Sequence, residues 1–285
     1  MMYKKIIILL KTIILLQSLF CDCGISGQSV TFRRIDSSHG LPHNTVFCIS
    51  QDSNGFMWFG TRFGICRYDG NNFITFNSSN SNIKNNIVRD ILQVNDSTLY
   101  VATEAELLMI SLQSGAITPI IFDNVDFNPV ILDLEMDQDN NIWIATAGNG
   151  VFLIKEGNLI HYPQPRFATN ILCYLNEVLI AVNTPGLEGM YILNRVENKF
   201  EKKLNIHAMV IIQADNFFWA GTQGNGLVKI DRHGNILSQH KLGDNRSKNI
   251  VRDIIPYKKE LFVATEGGLF IFDRDLETYS HYYYD

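Results

Sequence analysis

One pattern recurs six times along this chain, and its period constrains the fold more than any other feature. Each copy is an apolar strand, a polar turn, an aromatic-rich strand ending in a small residue and Thr, a Gly-containing turn, and another strand. The clearest copy is residues 46–77, VFCISQDSNGFMWFGTRFGICRYDGNNFITFN. The small residue is Gly60, Ala102, Ala145, Ala181, Gly221 and Ala264, at intervals of 42, 43, 36, 40 and 43 residues. Val182 replaces the Thr in the fourth copy. All three tryptophans, Trp58, Trp143 and Trp219, stand two places before the small residue. Tyr100, Leu179 and Phe262 fill that position in the other copies. Alternation along a strand puts both positions on one face.

Four strands in about forty residues is the spacing of a propeller blade. The turns agree. Asp52-Ser53-Asn54-Gly55 and Asp139-Asn140-Asn141 lie between apolar strands, where hairpins favour Asn, Asp and Gly. Gly64, Gly150, Gly226 and Gly268 follow the small-Thr pair and suit positive φ. No stretch beyond the N-terminus has useful helical periodicity. The expected fold is all-β, a β-propeller of four-stranded antiparallel blades. Six blades are visible, at about 42–83, 84–128, 129–166, 167–205, 206–247 and 248–285. The large ring and the small residue are expected to pack blade on blade, so the tryptophans are core rather than ligand platforms.

A further strand, SVTFRRI at 29–35, precedes the first copy, yet the sixth copy already has its own outer strand, Thr278 to Tyr284. Either the ring closes with six blades, or the chain is the front piece of a longer protein and forms an incomplete seven-bladed ring. The extra strand favours the second.

The N-terminus differs from the rest. Lys4 and Lys5 precede an apolar run, Ile6 to Phe20, and small or polar residues follow to Gln28. This is the layout of a secretory signal peptide, assigned to residues 1–23, with residues 24–285 as the propeller. An uncleaved anchor, or a lipid on Cys21, is the alternative. Beyond residue 23 the chain carries 21 basic and 28 acidic residues, net −7, which disfavours nucleic acid and anionic lipid as partners. Cys48, Cys66 and Cys173 lack C-x-x-C spacing and are odd in number, so each is expected to be a buried small hydrophobe.

Catalytic and metal signatures are weak. His39 and His43 flank Gly40 and Pro42, which places them in a loop. Asp137-x-Asp139-x-Asn141 imitates the opening of a calcium loop, but Ile142 and Gly148 occupy the positions that need Gly and Glu, so it reads as a hairpin turn. No G-x-S-x-G or phosphate-cradling loop is present. Neither a cofactor nor a metal is implied. Binding is the better expectation. The turns between second and third strands share one face with the blade-to-blade links, and they vary while the frame repeats. Arg62, Phe63, Glu104, Asn149, Gln223 and Glu266 are the candidate ligand contacts there: polar groups for sugar hydroxyls and one ring to stack on a sugar face.

The segments HGLPHNTVFCISQDSNGFMWFGT (39–61), KNNIVRDIL (84–92) and KNIVRDII (248–255) resemble the two-component regulator propeller repeats. The likeness runs over residues 29–285. It implies the periplasmic sensor region of a Bacteroidetes hybrid two-component system: seven-bladed propellers in tandem, an immunoglobulin-like domain, a membrane helix and a kinase, with oligosaccharides as common ligands. This chain contains no kinase sequence, so kinase activity does not carry over. The expectation is an exported, periplasmic, non-catalytic sensing module that binds a glycan fragment. Its partners would be downstream propeller and kinase regions or a homodimer mate. A polysaccharide lyase or hydrolase, a protein-interaction propeller and a gene remnant are the competing readings.

Overall fold

The computed structural model describes residues 34–282, apart from Asn124 and Asp126. The signal-peptide assignment and residues 29–33 of the expected extra strand lie outside the described residues. Arg34 and Ile35 belong to no strand.

Residues 36–285 form one compact unit. It contains six four-stranded antiparallel sheets, each built from four consecutive strands paired in sequence order. The sheets span residues 46–76, 88–119, 131–162, 170–204, 208–240 and 251–282 and are called blades one to six. Two short 3-10 turns, Ser37–His39 and Ser247–Asn249, are the only helical elements among the described residues. The chain is therefore a six-bladed, all-β propeller.

The large-small register does what the alternation predicts. Trp58, Trp143 and Trp219 are all buried. Trp58 packs on Val88, Ile91 and Val101 of blade two, and Trp219 on Val251, Ile254 and Val263 of blade six. The small residue lets neighbouring sheets converge. A Cβ on Gly60 would lie 2.8 Å from Val88 Cγ1, and one on Gly221 2.4 Å from Val251 Cγ1. At these two positions anything larger than Gly would force the packed neighbours to shift. One apolar cluster of this kind fills each of the five junctions between consecutive blades.

The indole N–H groups explain the Asp at the head of two turns. Trp58 Nε1 donates to Asp52 Oδ2 at 2.7 Å, and Trp143 Nε1 to Asp137 Oδ2 at 3.0 Å. The same carboxylates accept turn N–H groups, from Asn54 and Phe56 at Asp52 and from Asp139 and Asn141 at Asp137. The Asp137 motif is thus a hairpin turn, as expected. Burial alone would raise the Asp137 carboxyl, but the bonds from Asn141 and Trp143 hold it below its usual value. Blade five has Ala214 in place of this Asp, and Trp219 Nε1 is buried with no hydrogen-bond partner.

Cys66 is buried as expected, whereas Cys48 and Cys173 are only half-buried. Burial pushes the Cys66 thiol up to about 12 and raises the other two as well.

Candidate functional site

The face that carries the turns between second and third strands is built from a repeated device. The Thr after each small residue donates to the carbonyl across the turn: Thr61 to Gly64 at 2.8 Å, Thr146 to Gly150 at 2.6 Å, Thr222 to Gly226 at 2.8 Å and Thr265 to Gly268 at 2.8 Å. Its Oγ1 in turn accepts a turn N–H, from Phe63, Asn149, Asn225 and Gly267 respectively. The four glycines have φ between 74° and 122°, the left-handed region that favours Gly. Residues between Thr and Gly are thereby held outward on a closed, hydrogen-bonded turn.

Two of the depressions among the described residues open at the strand ends of this face and carry its arginines. The first is axial, about 580 Å³, lined by Thr45, Phe47, Arg89, Thr169, Met209 and Arg252 together with Val46 and Leu132. These residues come from the start of the innermost strand of every blade or the residue just before it, so the depression marks the propeller axis. Arg89 Nε donates to Glu104 Oε1 at 2.9 Å, and its guanidinium lies 4.3 Å from the Phe47 ring centre. Arg252 pairs with Glu266 in the same way. Each Arg is held at the mouth by a Glu on its own blade, leaving a nearly neutral rim of hydrogen-bonding groups.

The second depression, about 570 Å³, is lined by Asn183, Pro185, His207, Gln223, Asn225 and Arg246. Asn183 Nδ2 donates to Gln223 Oε1, and His207 Nε2 lies 3.5 Å from Glu188 Oε1. Asn183 Oδ1 and Glu188 Oε2 are buried acceptors with no hydrogen-bond partner.

Of the six candidate contacts, Gln223 lines the second depression, and Glu104 and Glu266 anchor the arginines at the axial mouth. Phe63 is 54% exposed and Arg62 and Asn149 are exposed, but none of these three lines either depression. Sequence reading missed the arginines themselves. Their signal is a paired motif, VRDI followed by VATE, at 88–91 with 101–104 and at 251–254 with 263–266.

A ring of Asx residues below the mouth was also missed. Leu134 N–H donates to Asp90 Oδ2 at 2.8 Å, Ile171 N–H to Asp133 Oδ2 at 2.6 Å, and Ile211 N–H to Asn170 Oδ1 at 2.8 Å. The innermost strands of blades two, three and four are each stapled in this way to that of the next blade. Burial raises Asp90 to about 6 and, with Asp90 nearby, raises Glu135 to about 7; Asp133 is raised by the same two causes. Among the described residues no group of three or more His, Cys, Asp or Glu is arranged to hold a metal ion.

Residues 40–63 match the family described as two component regulator propeller. Blade one carries a regulator-propeller repeat. No curated protein matches the chain in sequence. Among solved structures, the extracellular domain of a putative one component system from B. thetaiotaomicron is similar over 84% of this chain and 36% of its own, at 18% identity and TM-score 0.69. The chain thus spans about a third of that protein's length. Virginiamycin B lyase from Staphylococcus aureus is similar over 84% of both chains at 14% identity, TM-score 0.68. PorZ, a surface component of the type-IX secretion system of Porphyromonas gingivalis, is similar over 87% of this chain and 33% of its own at 14% identity, TM-score 0.60. At these identities the likeness speaks to the fold, and sensor and lyase share it equally. The regulator-propeller repeat is what separates them in this chain.

Proposed function

We propose that this chain is the exported, non-catalytic ligand-sensing propeller of a two-component signalling receptor, and that it binds an oligosaccharide on the loop face. The polar depression at Asn183, Gln223 and Arg246 carries this reading. There the repeating frame gives way to amides, an imidazole and a guanidinium on rigid turns. Two buried acceptors beside it lack partners. Hydroxyl-rich ligands supply the donors such a site needs, and a rigid scaffold lowers the entropy cost of engaging them. Three features support a non-catalytic role. The three thiols among the described residues are held protonated by burial. Two of the axial acids, Asp90 and Asp133, are spent on stapling strands. The funnel arginines are neutralised by their own glutamates. Export rests on the Lys4 to Gln28 pattern, and no helix among the described residues is long and apolar enough to cross a membrane.

Calorimetric titration of the chain against a panel of oligosaccharides tests the reading. Saturable heat is expected with at least one member, and Gln223→Ala or Arg246→Ala should each weaken it about tenfold, the worth of one or two polar contacts. A folded chain that gives no heat with any member, or that cleaves one of them, overturns it.

A further inference from the structure

Blade two departs from the turn device of its neighbours at one residue. Thr103 donates to the Glu106 carbonyl at 2.9 Å, where the matching turns of blades one, three, five and six have Gly64, Gly150, Gly226 and Gly268. A Cβ on any of those glycines would lie 2.1–2.6 Å from the last carbonyl oxygen of its blade's outer strand. Blade two differs on both sides of this contact. Glu106 keeps a negative φ, and the outer strand, Ile117–Pro119, is the shortest of the six. The Glu106 side chain lines a pocket of about 260 Å³, whose apolar walls come from Pro119, Ile120, Ile121, Phe122, Val125 and Phe127. No residue of this pocket lines the axial or the polar depression.

Glu106 is only 3% exposed. Its Oε1 accepts the Lys84 N–H at 2.5 Å. Its Oε2 is buried and has no hydrogen-bond partner. The Lys84 ammonium stands 3.9 Å from Oε2, at the end of an exposed side chain. An ion pair this loose and exposed contributes little, and a buried carboxylate oxygen without a donor costs free energy.

We propose that this pocket binds a small primary amine carried on an apolar body, whose ammonium donates to Glu106 Oε2 in place of Lys84 and whose body lies against Phe122, Phe127 and Ile121. The donor set selects the ligand class. Among the described residues Glu106 is the one acid lining the pocket, too few oxygens for a divalent cation. A buried carboxylate repels an anion, and a neutral hydroxyl would leave its charge uncompensated. The apolar walls offer a sugar few partners for its hydroxyls. An ammonium supplies both the charge and the missing donor. Aromatic walls suit it as well: Phe122 and Phe127 meet edge to face at 5.1 Å, and ring faces attract cations. Ile121, 80% exposed at the rim, is positioned to cover the apolar body.

Isoleucine-methyl NMR tests the site, because Ile120 and Ile121 line it. Phenethylamine is the probe, and 2-phenylethanol, with a hydroxyl in place of the ammonium, is its neutral counterpart. The amine should move the Ile120 and Ile121 methyl signals saturably, with Kd on the order of a millimolar for so small a ligand. The alcohol should bind at least about tenfold more weakly. Glu106→Gln keeps an acceptor for the Lys84 N–H but removes the charge, and it should weaken the amine at least about tenfold. Lys84→Met removes the competing ammonium and should tighten the amine at least about twofold. Equal binding of amine and alcohol overturns the proposal, and so does undiminished amine binding by folded Glu106→Gln. If Glu106→Gln does not fold, the two probes and Lys84→Met still decide. Methyl signals that the amine leaves unmoved, in the unaltered chain and in Lys84→Met alike, mean that the pocket is closed. Weaker binding after Lys84→Met means that the lysine belongs to the site rather than competing for it. Either result overturns the proposal.

Discussion

The Asp90 carboxylate accepts the Leu134 N–H, and in the next-but-one position of the ring Asn170 does the same work with an amide oxygen. The bond therefore needs an acceptor, not a charge. Burial raises Asp90 to about 6 and Glu135 to about 7, so both are neutral in the folded chain at pH values where the unfolded chain has ionised them. For acids raised in this way, stability is full below the unfolded value near 4 and is lost as pH rises through 6 and 7. The urea midpoint should accordingly fall between pH 5 and pH 8. Asp90→Asn should flatten that slope and cost under about 1 kcal/mol at pH 5, because it keeps the acceptor. Asp90→Ala should cost about 1–3 kcal/mol at either pH by orphaning the Leu134 N–H. If Asn proves as damaging as Ala, the staple depends on charge and this account of the ring is wrong. At the same scale, Trp143→Ala removes a fully buried ring and its bond to Asp137, and urea unfolding should show a loss of about 3–5 kcal/mol.

At the scale of the turn, Thr222 closes the loop that presents Gln223 and Asn225 to the polar depression. Thr222→Val keeps the shape but removes one donated and one accepted bond. It should cost about 1–2 kcal/mol in urea unfolding and weaken any ligand bound at Gln223 by more than stability alone explains. Blade four tolerates Val182 because its turn is longer and runs from Asn183 to Glu188 before the next strand. This device was legible in the sequence, since Thr and Gly recur at fixed offsets and their chemistry is local. So was the large-small register, because one Trp-x-Gly or Trp-x-Ala unit reports a whole junction. What hid was everything paired across blades or across strand and turn. Asp90, Asp133, Asn170 and Asp253 recur at one register, yet Cys48 and Val210 break the series, and an Asp beside an Ile looks like any strand-end polar residue. Arg89 and Glu104 lie fifteen residues apart and meet only once the hairpin pairs them. Phe63 and Asn149 shared the turn chemistry of Gln223 but line neither the polar nor the axial depression, since a depression is formed by residues far apart in the chain, such as Asn183, Gln223 and Arg246.

For the whole molecule, stability should be unevenly distributed, and the reason is the count of covered faces. Blades two to five are packed on both sides, whereas blades one and six each contribute to one apolar cluster. In a repeat array, stability is close to a sum of unit terms and nearest-neighbour interfaces, so a unit lacking one interface opens first. Hydrogen exchange should then rank the innermost strands by position rather than by sequence. The amides of Ile131–Met136 and Asn170–Tyr174 should exchange slowest, near the global unfolding limit. Those of Val251–Tyr257 should exchange at least about tenfold faster, although that strand is at least as long and its pairing carries one register shift, as that of Ile131–Met136 does. Sub-global opening from the blade-six end also separates Arg252 from Glu266, so the axial mouth should be the first part of the loop face to lose its geometry. Uniform protection across all six innermost strands would mean that the molecule unfolds as a closed ring, with the junction between the last blade and the first as strong as the other five. In that case the exposed Ile49 and Ala264 would have to be covered in solution by something that closes the circle.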